Sequence, residues 1–273
     1  MGMNEFLKED IGFGDITTEA IIPKGINIEA EIIAKEKGIL AGIEEVKRIL
    51  SYFNLKYKSY FDDGDEINKD DVIMKISGDA RSILKIERTL LNILMRMSGI
   101  ATLTRKLVKK ARGVKIAGTR KTTPGFRYFE KKAIEIGGGD PHRYNLSDCI
   151  LIKDNHIAIV GLEEAIIRAK KASFTKKIEI EVSDVEDAIK ACELGVDIVM
   201  LDNLSPDKVR EVLDELKKRN LREKVIVEIS GGITLENIEE YAKLKPDVIS
   251  LGYLTTNSKW LDMSLKLTNP VSK

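Results

Sequence analysis

In "GTRKTTPG", residues 118–125, Arg120 and Lys121 stand side by side between hydroxyl residues, with a glycine before them and a Pro-Gly pair after. Two cations held together in a turn serve an anion: a guanidinium matches a carboxylate or phosphate through two parallel hydrogen bonds, and an ammonium acts as a point charge. A second cluster follows in "GGGDPHRYNLSDCILIKDNH", which holds both histidines of the chain, His142 and His156, with Arg143 and Lys153. One histidine alone is ordinarily a packed or surface residue, but two of two beside basic partners and glycines point to a site. Carboxylates come next, Glu179 and Glu181 in "KIEIEV" and Asp202 in "VMLDN". Facing one pocket, Glu181 and Asp202 suit a magnesium ion, held directly or through the waters it retains, or equally the hydroxyls of a sugar. Of Glu179 and Glu181, one is expected to face the interior of a sheet and the other the helices outside it. Last come "SGG" and "SLG", with Ser230, Gly231, Gly232 and Gly252. A helix is expected to start near Thr234, and amides at a helix start bind phosphate because orphan N–H groups and the helix dipole both favour negative charge.

These residues share one kind of place. "VKIAG", "CILIKD", "KIEIEV", "DIVMLD", "KVIVEIS" and "DVISLG" are apolar runs separated by helical segments such as "DVEDAIKACELG" and "SPDKVREVLDELKKRN". Repeats of that kind predict a parallel sheet covered by helices. Six units where a closed barrel has eight predict an incomplete α/β barrel, whose active site sits at the carboxyl ends of the strands. Every cluster above lies at such an end, with Thr119 opening the first. No GxGxxG follows the first strand, which disfavours a dinucleotide-binding sheet. Upstream, residues 27–34 alternate like a strand, 42–50 have helical spacing, 56–61 alternate again, and 62–78 set two turn signals around short strands. This α+β pattern is similar to hammerhead folds related to biotinyl domains. From Ser82 to Arg112 the apolar residues recur at helical spacing, with a break expected at Ser98-Gly99. The expected division is an N-terminal α/β sandwich with its connecting helix over 1–108, a catalytic barrel over 109–260, and a tail, 261–273, returning to the first domain.

Composition narrows the class. The 273 residues carry a formal net charge of +1, which argues against a nucleic-acid or anionic-membrane surface and makes any basic cluster local. Cys149 and Cys192 lie far apart beside apolar runs, as small buried hydrophobes of a reducing compartment do. The first residues lack the features of a secretory signal, and no stretch has the length of a membrane span, so a cytoplasmic location is expected.

Taken together, "EDIGFGDITT", "ERTLLNILMRMSGIAT", "TRKTTPG", "GGGDPHR", "LIKDNH", "LDN", "SGGI" and "DVISLG" resemble the quinolinate phosphoribosyltransferases over nearly the whole chain. The resemblance implies transfer of phosphoribose from phosphoribosyl pyrophosphate to quinolinate with decarboxylation, giving nicotinate mononucleotide, pyrophosphate and CO₂ in NAD biosynthesis. It implies Mg²⁺, no organic cofactor, and a homodimer or a higher oligomer built from dimers. Carried over by motif, Arg120, Lys121, His142, Arg143 and Lys153 would bind quinolinate and pyrophosphate, with Arg88 supplied by the partner subunit. Glu181 and Asp202 would serve ribose and magnesium, Ser230, Gly231, Gly232 and Gly252 would hold the 5′-phosphate, and Thr119 would be a further substrate-binding residue. Lys121, Lys153, Glu181 and Asp202 would take the catalytic part. The alternatives are a related phosphoribosyltransferase using nicotinate, the molybdenum-associated paralogue, or, from another class, a biotinyl-like binding module. The last would require a modifiable lysine at a hairpin tip, and no Met-Lys acceptor is present there.

Overall fold

A computed structural model describes residues 3–268. In chain order its elements are α1 (Met3–Ile11), α2 (Ile16–Ile21), β1 (Asn27–Ala34), β2 (Gly38–Ile39), α3 (Ile43–Tyr52), β3 (Lys56–Ser59), β4 (Glu66–Ile67), β5 (Val72–Asp79) and α4 (Ala80–Lys110). Then follow β6 (Lys115–Ala117), α5 (Arg127–Gly137), β7 (Ile150–Ile152), α6 (Asp154–Val160), α7 (Leu162–Ala172), β8 (Ile178–Val182), α8 (Val185–Glu193), β9 (Ile198–Asp202) and α9 (Pro206–Lys218). The chain closes with β10 (Ile226–Ser230), α10 (Ile238–Ala242), β11 (Val248–Ser250), α11 (Tyr253–Thr256) and β12 (Met263–Leu267). Two compact units result. The first takes the residues up to Arg105, Thr123–Gly137 and those from Asn257 on; the second takes Lys106–Thr122 and Gly138–Thr256. Thus α5 counts with the first unit, although it lies within the run 109–260 that the sequence reading assigns to the barrel. Among the described residues, no helix is long and apolar enough to cross a membrane.

In the first unit, an antiparallel sheet runs in the order β12-β1-β5-β3. Strand β1 alternates as its sequence requires: Ile28, Ala30, Ile32 and Ala34 are buried while Asn27 and Glu29 are exposed. Its free edge takes β12, with Ala30 opposite Leu267 and Ala34 opposite Met263; residues 269–273 of the expected tail lie outside the described residues. Ile83, Ile86, Leu90, Leu94 and Met97 of α4 are all buried, the three- and four-residue spacing that gives a helix one apolar stripe.

The break expected at Ser98-Gly99 does not occur: α4 continues unbroken through both residues. Tertiary contacts answer for the weak helix formers. The buried Ser98 hydroxyl accepts the Ala41 N–H at 2.9 Å, and Gly99 is bare because the backbone of Lys259 and Trp260 crosses directly over it. A Cβ there would sit 3.0 Å from the Lys259 carbonyl carbon and still closer to its oxygen. Cys192 is buried, with its thiol pushed up to about 12 by burial, so it behaves as the small hydrophobe its surroundings predict.

Gly99→Ala should therefore destabilise the protein by about 1–3 kcal/mol through overpacking, although alanine is the better helix former. Chemical denaturation would show this as a lower midpoint; an unchanged or raised midpoint would mean that the crossing segment does not pin the helix.

Candidate active site at the strand ends

The second unit is built on a six-stranded parallel sheet in the order β6-β11-β10-β9-β8-β7, so all six expected strands are present. Its two faces differ sharply. Ile180, Val182, Val199, Leu201, Val227, Ile229 and Ile249 are all buried and point outward, where α7 and α8 pack against the sheet. The alternate positions form the inner face, and the register aligns them: Glu181 with Met200, Met200 with Glu228, and Asp202 with Ser230. Glu179 belongs to this same face. Residues two apart on a strand point the same way, so the expectation that Glu179 and Glu181 divide between interior and helices is corrected. Both lie inward, Glu179 at the fully buried level and Glu181 nearer the mouth.

The barrel stays open between β6 and β7. Asp140 closes part of the gap by forming a parallel bridge with Ala117: its N–H donates to the Ile116 carbonyl at 2.7 Å, and its own carbonyl accepts the Gly118 N–H at 2.9 Å. From this edge the chain runs through residues 141–149 to β7, carrying His142 and Arg143 across the opening. The Nε2 of His142 lies 3.2 Å from Oε2 of Glu179, and the hydrogen bond to Glu179 raises the imidazole above its ordinary pKa. Arg143 is buried and donates to the Cys149 carbonyl at 3.2 Å. The Cys149 thiol lies 3.7 Å from the same Glu179 oxygen, and burial pushes it up, so it is a poor nucleophile.

At the mouth the expected residues come together in pairs. Lys153, which follows β7 and caps the start of α6, forms an ion pair with Glu181. His156 turns out to be a capping residue: its Nδ1 accepts the Lys153 N–H at 2.9 Å at the start of α6, which leaves His142 as the histidine of the inner face. Asp202 accepts the Asn203 amide at 2.7 Å. Gly231 and Gly232 have φ of 84° and 62°, and a Cβ on Gly231 would sit 2.7 Å from the backbone nitrogen of Asn203. The helix expected near Thr234 begins only at Ile238 and has five residues. The turn before it is instead organised by Asn237, whose side chain accepts the Thr234 N–H and donates to the Gly232 carbonyl. Any phosphate here would meet loop amides and no long helix dipole. Lys121 lies over Gly252, since a Cβ added there would stand 2.8 Å from its Cδ and 3.5 Å from the Thr119 hydroxyl. Arg120 and Lys121 are exposed, and among the described residues neither cationic head has a hydrogen-bond or ion-pair partner.

In the first unit, Arg88 is exposed on α4 and likewise makes no ion pair among the described residues. Sequence reasoning passed over Glu179 as a partner for His142, and over Glu228 and Ser250 altogether. The available signal was an acid in the middle of an otherwise apolar strand, "VIVEIS".

Comparison with known proteins supplies the family context. The profile described as "Quinolinate phosphoribosyl transferase, N-terminal domain" matches residues 15–98, and that of the C-terminal domain matches residues 100–266. A protein of Methanothermobacter thermautotrophicus is 49% identical over 97% of each chain, and one of Archaeoglobus fulgidus is 51% identical over 93% of this chain and 98% of its own. Both are named "Probable nicotinate-nucleotide pyrophosphorylase", carboxylating. The crystal structure of nicotinate-nucleotide pyrophosphorylase from Ehrlichia chaffeensis superposes with a TM-score of 0.92 at 34% identity, covering 97% of both chains.

Burial, reinforced by the charge of Glu179, raises Glu228 from an ordinary 4.5 to about 7. Its Oε1 has no hydrogen-bond partner among the described residues. The folded state thus keeps a proton on Glu228 that the unfolded chain has already released, and stability is lost as pH rises from the ordinary value towards 7. Glu228→Gln removes this penalty. Relative to the parent it should gain on the order of 3 kcal/mol between pH 4 and pH 8, read as a growing difference in melting temperature. A difference that stays flat across that range would show Glu228 to be ionised at no cost.

Proposed function

The chain belongs to the quinolinate phosphoribosyltransferase family, and on that premise we propose how its strand-end pocket performs the family's reaction. The enzyme joins the ring nitrogen of quinolinate to C1 of phosphoribosyl pyrophosphate and releases pyrophosphate and CO₂, a step of NAD biosynthesis. Both substrates are anions, one with two adjacent carboxylates and the other with a phosphate and a pyrophosphate. The observation that carries the assignment of roles is the pair Arg120 and Lys121, exposed and without partners among the described residues, with Lys121 lying over the bare Gly252. Cations left unpaired in a chain of net charge +1 are poised for an anionic ligand.

Arg120, His142 and Arg143 bind the quinolinate carboxylates; Lys121 and Lys153 receive the departing pyrophosphate. Ser230, Gly231, Gly232 and Gly252 take the 5′-phosphate, with Thr119 beside them. As the C1–O bond breaks, its electron pair leaves with pyrophosphate and positive charge develops on the ribose. Glu181 and Asp202 stabilise that charge in place, and the quinolinate nitrogen closes the new N–C1 bond. The alkylated nitrogen then draws the electron pair of the C2–carboxylate bond as CO₂ leaves, and C2 takes up a proton. This requires no organic cofactor, so the protein contributes alignment and charge. The fit to magnesium rests on donor chemistry. Glu181 and Asp202 offer hard carboxylate oxygens at the mouth, whereas the tightest donor group among the described residues, His142 with Cys149 and Glu179, mixes nitrogen and sulfur and suits the ion poorly. Held by Glu181 and Asp202, directly or through water, magnesium would neutralise the pyrophosphate.

Homo-oligomerisation is proposed on two features of the first unit. Phe13 is fully exposed and Ile16 and Ile21 largely so, which is costly in isolation, and Arg88 lacks a partner among the described residues. Arg88 would complete a neighbouring subunit's pocket.

Incubating the protein with phosphoribosyl pyrophosphate, Mg²⁺ and either quinolinate or nicotinate should yield mononucleotide and CO₂ from quinolinate alone, and chelation should abolish turnover. Product from nicotinate alone would overturn the substrate assignment. Arg120→Ala and Lys121→Ala should each cost about 2–5 kcal/mol of transition-state binding, read as kcat/KM, in a folded protein. Near-parental kinetics in both would remove the pair from the site. Mixing Arg88→Ala with Asp202→Ala under conditions of proven subunit exchange should restore about a quarter of the sites if Arg88 acts across a two-fold interface, and none if it acts within its own chain.

A further inference from the structure

The inner face contains a buried carboxylate that the reaction as described does not use. Glu179 is fully buried, one of its oxygens has no hydrogen-bond partner among the described residues, and the other faces His142 Nε2 at 3.2 Å and the Cys149 thiol at 3.7 Å. Other acids crowd it: Glu228 from β10 acts on both Glu179 and His142, and Asp140 from the segment beside β6 acts on His142. Arg143, next to His142 in the chain, gives one of its N–H groups to the Cys149 carbonyl. Among the described residues the imidazole is the cation in contact with Glu179, and a buried carboxylate persists only when it is paired.

We propose that Glu179 is a positioning residue for the family's reaction: it holds His142 against the inner face as an imidazolium, and that fixed charge is what recognises the second carboxylate of the substrate ring. The proposal rests on the reading that His142 lines the quinolinate subsite. Its physical content is an exchange of charge. Glu179 is sealed from solvent while His142 is about a quarter exposed at its side chain, so the buried acid presents a positive charge at the pocket surface without itself reaching the substrate. The acids facing the imidazole, Glu179 from β8, Asp140 beside β6 and, once it has lost its proton, Glu228 from β10, favour its charged form, and burial opposes it. A neutral ring would leave the dicarboxylate facing Glu179 through an uncharged wall, and like charges so placed repel.

Two measurements test this. The pH profile of kcat/KM for quinolinate should fall on the alkaline side above the ordinary histidine value of 6.5. In Glu179→Gln that limb should move down by about one unit or more, with KM for quinolinate at pH 8 raised about tenfold, while KM for phosphoribosyl pyrophosphate changes less than about threefold. An unmoved limb, or a loss spread evenly over pH and falling on kcat, would overturn the proposal. Should the variant fail to fold, the parent protein still decides. It has two histidines, so isotope-labelled histidine gives two ring signals in NMR, which His156→Gln assigns. His142 should titrate above 6.5, and a midpoint at or below that value would overturn the proposal. A parent enzyme that turns over no quinolinate would instead remove the substrate assignment, while the NMR midpoint still judges the Glu179–His142 pair.

Discussion

A parallel sheet covered by helices on its outer face must place something on its inner face, and here that something is charge. Glu179, Glu181, Glu228 and Asp202 all project inward from β8, β9 and β10, where a closed barrel would carry interlocking aliphatic layers. Carboxylates cannot pack into a dry core, because each must be paired, protonated or left in contact with water. All three outcomes occur. Glu179 is paired with His142, Glu228 holds its proton up to about 7, and Glu181 and Asp202 stay half-exposed at the mouth.

Cations follow from the same constraint. Lys153 pairs with Glu181 and His142 with Glu179, so both cations are held in position by a carboxylate of the inner face. Arg120 and Lys121 sit at the end of β6 with no partners among the described residues. Two of the cations on this side of the sheet are thus held in place by a protein carboxylate, and two are not. A chain of net charge +1 can thereby offer a strongly cationic rim without the self-repulsion or non-specific anion binding of a basic protein.

The first unit uses buried charge for positioning. Glu130 of α5 is fully buried. It accepts two hydrogen bonds from Arg96 of α4 and two from Thr123, one from its backbone and one from its hydroxyl. This is a charge-assisted network within the first unit. Lys132 and Glu45 form a second such pair, with Lys132 Nζ 2.8 Å from the carboxylate.

Period and punctuation alone determined much of this protein. Apolar runs spaced by helical segments predict all six strands of the parallel sheet, and the clusters at their carboxyl ends are where the cations and carboxylates in fact stand. The alternation in residues 27–34 is the burial pattern of β1. Other features needed the third dimension. Ser98 and Gly99 read as a helix break because local propensity is all a sequence displays, whereas their hydrogen bond and their close crossing come from Ala41 and Lys259, dozens of residues or more away. Glycines 231 and 232 read as a helix start, yet the turn after them is closed by the side chain of Asn237. His142 and His156 look alike in their motifs, and only their partners separate a ring held by a buried carboxylate from one that caps α6. Glu228 was readable as an anomaly in an apolar strand, but its proton depends first on its burial and then on the charge of Glu179 across the inner face. Residue types and periodicity thus determine which groups reach the strand ends. Which of them pair, and which remain for a ligand, is decided by distances between strands far apart in sequence, because electrostatic and steric energies depend on separation in space.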